Sequence, residues 1–238
     1  MNSKIILCAA LVSSAALFGC SKEVTSSNNI KTPGIAALID VTAESESLST
    51  VHVELRVGGS SSNTFVILES GDRLAATANE STKEMSAVAE GEYEAEFPTA
   101  AAETKFSVAF ERADGDNALD NSGVMPAPFT IGELPTTKPS RATDEFKITW
   151  SPVDSGAQMV AELSGTCIFN KTIDVVGDEG TLVIPKGTLE STGGDMPKEC
   201  EINVELKRTR VGKADAVFDS ESWFKLHQVR RASFVSAP

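Results

Sequence analysis

Three side chains near the carboxyl terminus occupy alternate positions and could bind a ligand together. Trp223, Lys225 and His227 would share one face of a β-strand, because successive side chains of a strand point to opposite faces. If Phe224 and Leu226 on the other face are buried, an indole and two basic groups stand at the surface, where they could stack on a sugar or meet an anion. Alternatively, Trp223 belongs to the core and the basic groups balance the acidic first half of the chain. Both interpretations remain open at this point.

A cluster of acidic residues suggests a second kind of chemistry. Asp114, Asp116 and Asp120 stand at the first, third and seventh positions of a segment, a spacing superficially similar to that of a calcium loop. The sixth position, where such a loop needs glycine, is Leu119, and the twelfth, where it needs glutamate, is Met125. The three aspartates are therefore weak metal candidates in what we interpret as a polar loop, and we expect no metal or other cofactor.

Short motifs of envelope enzymes are missing from the sequence. It contains no G-x-S-x-G, no H-E-x-x-H, no phosphate-binding or dinucleotide fingerprint, and no S-x-x-K accompanied by the other acylase motifs. The two histidines, His52 and His227, fall in different halves of the chain. A glycosidase-type carboxylate pair stays an alternative only because acidic residues are abundant. We therefore predict a protein without enzymatic activity.

The amino-terminal residues have the pattern of an export signal. One basic residue, Lys4, precedes an apolar and small-residue run over residues 5–19, which is shorter than the roughly 20 residues needed to span a bilayer. We predict that residues 1–19 are a cleaved signal peptide. Its removal takes away one positive charge from a whole-chain net charge of −13, leaving −14. Such acidity argues against a nucleic-acid partner.

The end of this signal, Leu17-Phe18-Gly19-Cys20, resembles the lipobox of bacterial lipoproteins, although Phe18 is bulkier than the usual residue. The resemblance implies that Cys20 carries acyl chains and anchors the mature protein to a lipid bilayer. Ser21 follows Cys20 where aspartate would favour retention in the inner membrane, so the family's sorting rule implies an outer-membrane location in the cell envelope. An ordinary signal peptide with an incidental cysteine is the alternative.

Export makes the remaining cysteine pair informative. Cys167 and Cys200 are the two cysteines after Cys20, and an even pair in an oxidising compartment usually forms a disulfide bond. Neither has a second cysteine or a histidine at ligand spacing, which argues against the alternative of a metal or redox site. We predict a Cys167–Cys200 disulfide.

Nearly all segments that would position these residues have the two-residue period of β-strands, as in Val51–Val57. We predict an all-β chain in which residues 20–34 form a lipidated terminus and flexible tether of about 20 Å reach. Residues 35–132 form one β-sandwich, the proline-containing segment 133–143 is a linker, and residues 144–238 form a second sandwich. A single larger sandwich with an elaborated connection is the alternative.

The segment Gly91-Glu92-Tyr93-Glu94-Ala95 resembles the tyrosine corner of immunoglobulin-like folds. The alternative is that Tyr93 is an ordinary tyrosine on a surface strand. As a whole, the chain resembles envelope lipoproteins built from immunoglobulin-like or fibronectin-like domains. That resemblance implies a non-enzymatic binding or structural module whose partner is an unidentified protein or glycan. The alternative is a carbohydrate-binding or metal-dependent protein that uses residues 223–231 or the acidic loop 114–121.

Overall fold

A computed structural model describes residues 22–193 and 199–238, which fold almost entirely into β-strands. The predicted signal peptide and Cys20 lie outside the described residues. Within the described part of the chain, no helix is both long enough and apolar enough to cross a membrane. The prediction of an all-β fold is confirmed.

The strands alternate inward apolar and outward polar residues over much of their length. In the first half of the chain they are β1 (Glu23–Ser26), β2 (Ile35–Ala43), β3 (Ser49–Val57), β4 (Thr64–Ile67), β5 (Arg73–Ala78), β6 (Ser81–Glu84), β7 (Ser86–Ala89), β8 (Glu92–Phe97), β9 (Lys105–Glu111) and β10 (Ala118–Val124). In the second half they are β11 (Thr130–Ile131), β12 (Phe146–Ser151), β13 (Gln158–Ser164), β14 (Lys171–Val175), β15 (Thr181–Ile184), β16 (Cys200–Val211) and β17 (Trp223–Ser236).

These strands form one large sheet and two small ones. The large sheet has ten strands in the order β1-β4-β3-β2-β17-β16-β13-β14, with β8 paired to β3 and β7 to β8. The small sheet β10-β9-β5-β6 packs on one part of it, and the three-stranded sheet β11-β12-β15 packs on the other. Two hydrophobic cores result, so the chain forms two β-sandwiches that share one sheet.

The two sandwiches share two long strands. The first part of β17 pairs in parallel with β2 and places Phe224 and Leu226 in the first core, whereas Phe234 near its end lies in the second core. β16 pairs with β17 from Cys200 to Val211. The carboxyl-terminal half of the chain therefore completes the first sandwich as well as building the second, which differs from the predicted division at residues 133–143. A 14-residue strand rises about 46 Å, enough to run through both sandwiches.

A polar layer separates the two cores where these strands pass from one to the other. Arg208 on β16 and Gln228 on β17 lie opposite each other and are both fully buried. Gln228 donates to the carbonyls of Ala100 and Pro126. Most buried polar groups in proteins are hydrogen-bonded, so the partners that this layer requires favour one arrangement of the two sandwiches.

The flexible tether predicted over residues 20–34 is wrong for the described part of that segment. Residues 23–26 form β1, which pairs in parallel with β4, and two short 3-10 turns follow before β2 begins. Ser27 and Thr32 are buried. The polar groups of this segment led to the prediction of a solvated tether. In the structure they form hydrogen bonds within the protein instead.

Arg112 is the side chain that holds this segment. Its guanidinium donates to the carbonyls of Ser27 and Ile30 at 2.6 and 2.9 Å and to the Thr32 hydroxyl at 3.1 Å. An ion pair with Asp72, in which both side chains are almost fully buried, completes the arrangement. A buried arginine with all these acceptors orders a segment that has no apolar pattern of its own.

Tyr93 does not form a tyrosine corner. It lies on β8, is 6 % exposed, and its hydroxyl accepts a hydrogen bond from the Leu68 N–H at 2.8 Å. A corner would close a few residues upstream, but Leu68 is 25 residues away, beyond the end of β4. The residue therefore ties two strands of the large sheet together, and its burial also differs from the surface-strand alternative.

Candidate functional site

Trp223, Lys225 and His227 project from β17 on the outer face of the large sheet, away from the first core. All three are partly exposed, while Phe224 and Leu226 between them are fully buried. The Lys225 ammonium lies 4.0 Å from the centroid of the Trp223 ring, a favourable cation–π distance. The structure thus brings the three predicted residues together on one surface.

Asp40 joins the three residues into a connected cluster. The Trp223 indole N–H donates to Asp40 Oδ2 at 3.1 Å, and His227 Nε2 lies 2.9 Å from Asp40 Oδ1. The parallel register of β17 and β2 places Lys225 directly opposite Asp40. Asp40 was not among the residues predicted from the sequence, although a lone carboxylate inside the mostly apolar strand IAALIDVTA is a signal that it has a specific partner.

The environment of Asp40 keeps its carboxyl group ionised. Burial acts to raise its pKa, but the hydrogen bonds with His227 and Trp223 and the positive charges of His227 and Lys225 outweigh burial, so the pKa lies below its usual value. Both carboxylate oxygens are engaged. Asp40 therefore acts as the fixed negative centre that orients the indole and the imidazole.

Thr209 on β16 completes a chain of hydrogen bonds through His227. Its hydroxyl lies 2.9 Å from His227 Nδ1, so hydroxyl, imidazole and carboxylate follow one another as in a hydrolase triad. Acyl transfer also needs free N–H donors aimed at the developing oxyanion. Thr209 and His227 are opposite each other in the β16–β17 ladder, inside the sheet, where backbone N–H groups bond to neighbouring strands. This arrangement suits a fixed imidazole that contacts a ligand better than it suits a nucleophile.

The second histidine lies on the same outer face. His52 on β3 is directly opposite Asp40 in the register, and its Nδ1 lies 3.1 Å from Glu94 Oε1 on β8. A row of polar side chains in register therefore crosses four strands from Lys225 through Asp40 and His52 to Glu94. Among the described residues, no three His, Cys, Asp or Glu side chains lie close enough to hold a metal ion.

Two shallow grooves open on the outer face of the large sheet. One, of about 500 Å³, is lined by Thr42, Glu44, Ser45, Leu48, Thr50, His52 and Glu94. The other, of about 590 Å³, lies over the second sandwich, and its lining includes Glu162, Asn203, Glu205 and Arg231. Arg231 reaches Glu44 at 2.9 Å and so links the rims of the two grooves. Trp223, Lys225 and His227 line neither groove, so they form a separate patch.

Some of the other basic residues of the carboxyl-terminal segment pair with carboxylates of the first half of the chain. Arg231 binds Glu44 and Arg210 binds Glu103, each at 2.9 Å. The structure therefore combines features of both interpretations of the patch: Trp223 stands on the outer face, yet nearby basic groups balance acidic residues of the first sandwich.

The three aspartates of the predicted calcium loop do not converge. Asp114 and Asp116 lie in the loop between β9 and β10, whereas Asp120 is on β10, where Lys213 pairs with its carboxylate. The Asp120 N–H donates to Asp215. The backbone carbonyl of Asp116 accepts a hydrogen bond from Thr32 and so helps to hold the amino-terminal segment.

The Cys167–Cys200 disulfide bond is present in the structure. Its Cα atoms are 6.0 Å apart, and both residues are buried. It joins the turn after β13 to the beginning of β16, at the end of the second sandwich farthest from the first. Its position there indicates a stabilising role, which agrees with the prediction.

Comparisons with known proteins find solved structures of low similarity. No family model matches the sequence, and no curated protein matches it. One similar solved structure is the tetra-tandem repeat in the extending region of a large adhesion protein, at 10 % identity over 84 % of this chain and 50 % of that chain, with a TM-score of 0.24. Another is the set of fibronectin(III)-like modules of Clostridium thermocellum CbhA, at 9 % identity over 82 % of this chain and 92 % of that chain, with a TM-score of 0.25. The chain thus spans about half the length of the adhesion-protein structure.

Proposed function

We propose that this chain is a membrane-anchored envelope protein without enzymatic activity, whose β-sandwich modules bind or support a protein or glycan partner. The supporting observation is that β16 and β17 run through both sandwiches without a break. Two modules joined by continuous strands and a buried polar layer form one stiff body, unlike two domains that are connected by a flexible linker. Such a body suits presentation or spacing of a binding surface.

The anchor in this proposal is an acyl group on Cys20, and the location is the outer membrane. Support comes from the lipobox-like residues 17–20 and from Ser21 after them. The Cys167–Cys200 disulfide fits an oxidising, exported location.

The absence of enzymatic activity is supported by the state of the polar groups on the outer face. Asp40, His52 and His227 each have a partner, and the hydroxyl next to His227 belongs to a residue in the middle of the sheet. Groups that are fixed in pairs can recognise a ligand, and Thr209 lies between two paired strands, where backbone N–H groups bond within the sheet instead of pointing at an oxyanion.

A carbohydrate ligand is the second candidate. It is favoured by the partly exposed indole of Trp223, which stands between the charged groups of Lys225 and Asp40, since sugars bind to aromatic rings flanked by hydrogen-bonding groups. A protein partner would instead use the wider polar surface around the two grooves.

Metabolic labelling with palmitate tests the anchor. The full chain, expressed in a two-membrane bacterium, is expected to incorporate label and to fractionate with the outer membrane, and Cys20→Ser is expected to lose both properties. Incorporation that is equal in the two chains, or absent from both, would refute the anchor.

Glycan-array binding tests the carbohydrate candidate. We expect Trp223→Ala to abolish a binding signal that Phe169→Ala retains, because Phe169 is an exposed aromatic residue outside the patch. A signal that survives Trp223→Ala would remove the patch from consideration and leave a protein partner.

A further inference from the structure

We infer that the bilayer contacts one particular end of the molecule, the pole of the first sandwich from which Lys22 emerges, and that the second sandwich projects away from the membrane. We call this end the Lys22 pole, and it consists of Lys22 and the loop at residues 58–63. The inference rests on the proposed acyl anchor at Cys20.

The chain between the anchor and the folded body is very short. Lys22 is held in place: its ammonium lies 3.1 Å from Glu92 Oε1 and 4.4 Å from the centroid of the Phe65 ring. Only Ser21 separates it from Cys20. An extended chain spans at most about 3.5 Å per residue, so the connection from an acylated Cys20 to Lys22 can be no longer than about 7 Å.

The strand directions place the second sandwich at the opposite end. Glu23 at the start of β1 pairs with Thr64 at the start of β4. The start of β4 in turn lies beside the end of β3. That end of β3 pairs with Ile35 at the start of β2. β17 runs parallel to β2 and continues past its end into the second core, away from Glu23.

The amino-terminal segment is fixed firmly enough to transmit this orientation. Four consecutive residue pairs join β1 to β4. Arg112 then binds the carbonyl of Ser27 at 2.6 Å, and the Glu69 N–H donates to the Ser27 hydroxyl at 3.2 Å. An acyl group attached three residues before β1 therefore restrains the whole body, because no long flexible tether separates the two.

The chemistry of the Lys22 pole suits contact with lipid headgroups without insertion into the acyl region. Its loop is rich in glycine and serine, and Glu221 accepts hydrogen bonds from both the N–H and the hydroxyl of Ser60. Polar groups of this kind lose hydration in hydrocarbon, and they keep it among headgroups.

Fluorescence quenching by lipid headgroups tests the orientation. A dye attached to the cysteine of Ser61→Cys reports on the Lys22 pole, and a dye attached to that of Lys186→Cys reports on the far end of the second sandwich. Both positions are exposed. The acylated, labelled protein with its native disulfide intact is reconstituted into vesicles of phosphatidylethanolamine and phosphatidylglycerol that contain a headgroup spin-labelled lipid. We expect several-fold stronger quenching at Ser61→Cys than at Lys186→Cys.

An insertion variant provides the matched control. About 12 Gly and Ser residues after Ser21 add an r.m.s. span of about 20 Å, which should reduce quenching at Ser61→Cys towards the value at Lys186→Cys. Equal quenching at both sites without the insertion, or a Ser61→Cys signal that the insertion leaves unchanged, would overturn the inferred orientation while the anchor stood. A chain that carries no acyl group would overturn both.

Discussion

The guanidinium of Arg208 lies 2.7 Å from the carboxylate of Asp178, and neither side chain is accessible to solvent. Arg208 also donates to the carbonyls of Ala127 and Pro152, and Asp178 accepts hydrogen bonds from the Trp150 indole and the Asp154 N–H. This network occupies the layer between the two hydrophobic cores. Because a buried charge is tolerated only with its partners in place, the network selects one relative orientation of the two sandwiches.

Replacement of Arg208 by methionine should be strongly destabilising. Arg208→Met keeps much of the side-chain volume but leaves the Asp178 carboxylate buried without its counter-ion, a loss of about 3–5 kcal/mol in the free energy of unfolding. Urea denaturation of the mature protein measures the loss.

The control for this substitution is Arg231→Met, since Arg231 pairs with Glu44 and Glu205 at an exposed site. Exposed ion pairs contribute about 0–1 kcal/mol, so the control should unfold nearly as the parent does. Equal losses in the two variants would show that the buried pair does not stabilise the junction.

Asp40→Asn should lower stability at neutral pH and have less effect in acid. The pKa of Asp40 is lowered in the folded protein, so its charged form contributes stability above the unfolded value of about 3.9 and loses it as the pH falls through the still lower folded value. We expect a loss of about 1–2 kcal/mol at pH 7, from weakened hydrogen bonds to Trp223 and His227. Denaturant unfolding at pH 7 and at pH 3 measures the two differences.

For comparison, Asp174→Asn changes an exposed carboxylate on β14 and should stay within about 0.5 kcal/mol of the parent at both pH values. If the difference between Asp40→Asn and the parent widened as the pH fell, the assigned direction of the Asp40 pKa shift would be wrong.

Loss of the disulfide should destabilise the second sandwich. The bond closes a loop with a sequence separation of 33, for which the chain-entropy model gives a stabilisation of about 3–4 kcal/mol. The double variant Cys167→Ala/Cys200→Ala should therefore unfold at lower urea concentration, and the parent protein should match it after reduction. A parent whose unfolding is insensitive to reductant would contradict the stabilising role.

Local patterns were sufficient to predict the fold class and many of the strands. The alternation in β3, with Val51, Val53 and Leu55 inward and His52 outward, follows directly from the two-residue period. The Cys167–Cys200 disulfide was likewise predictable from the number of cysteines and the oxidising compartment that the export signal implies.

Long-range pairing was not predictable in the same way. Asp40 meets His227 because β17 pairs with β2 across 187 residues of sequence, and neither segment encodes that register locally. Arg208 occupies an inward position of β16 after Ile202, Val204 and Leu206, so the alternation marks it as unusual, but its partner Asp178 comes from a distant loop. The order in residues 23–34 depends similarly on Arg112, far along the chain.

Tyr93→Phe removes the hydroxyl that joins β8 to the end of β4, where it accepts from the Leu68 N–H and also donates to the Val66 carbonyl at 3.5 Å. The hydroxyl is buried and accepts from the Leu68 N–H, so its removal leaves that backbone donor without this partner, at a cost of about 1–2 kcal/mol. Hydrogen exchange should show faster exchange at the Leu68 amide, and urea unfolding gives the loss in stability. Thr82→Val is the control, because it removes an exposed hydroxyl pair with Thr77 that water replaces, and its effect should stay below about 0.5 kcal/mol. An unchanged Leu68 exchange rate in Tyr93→Phe would mean that Tyr93 contributes only its ring to the core.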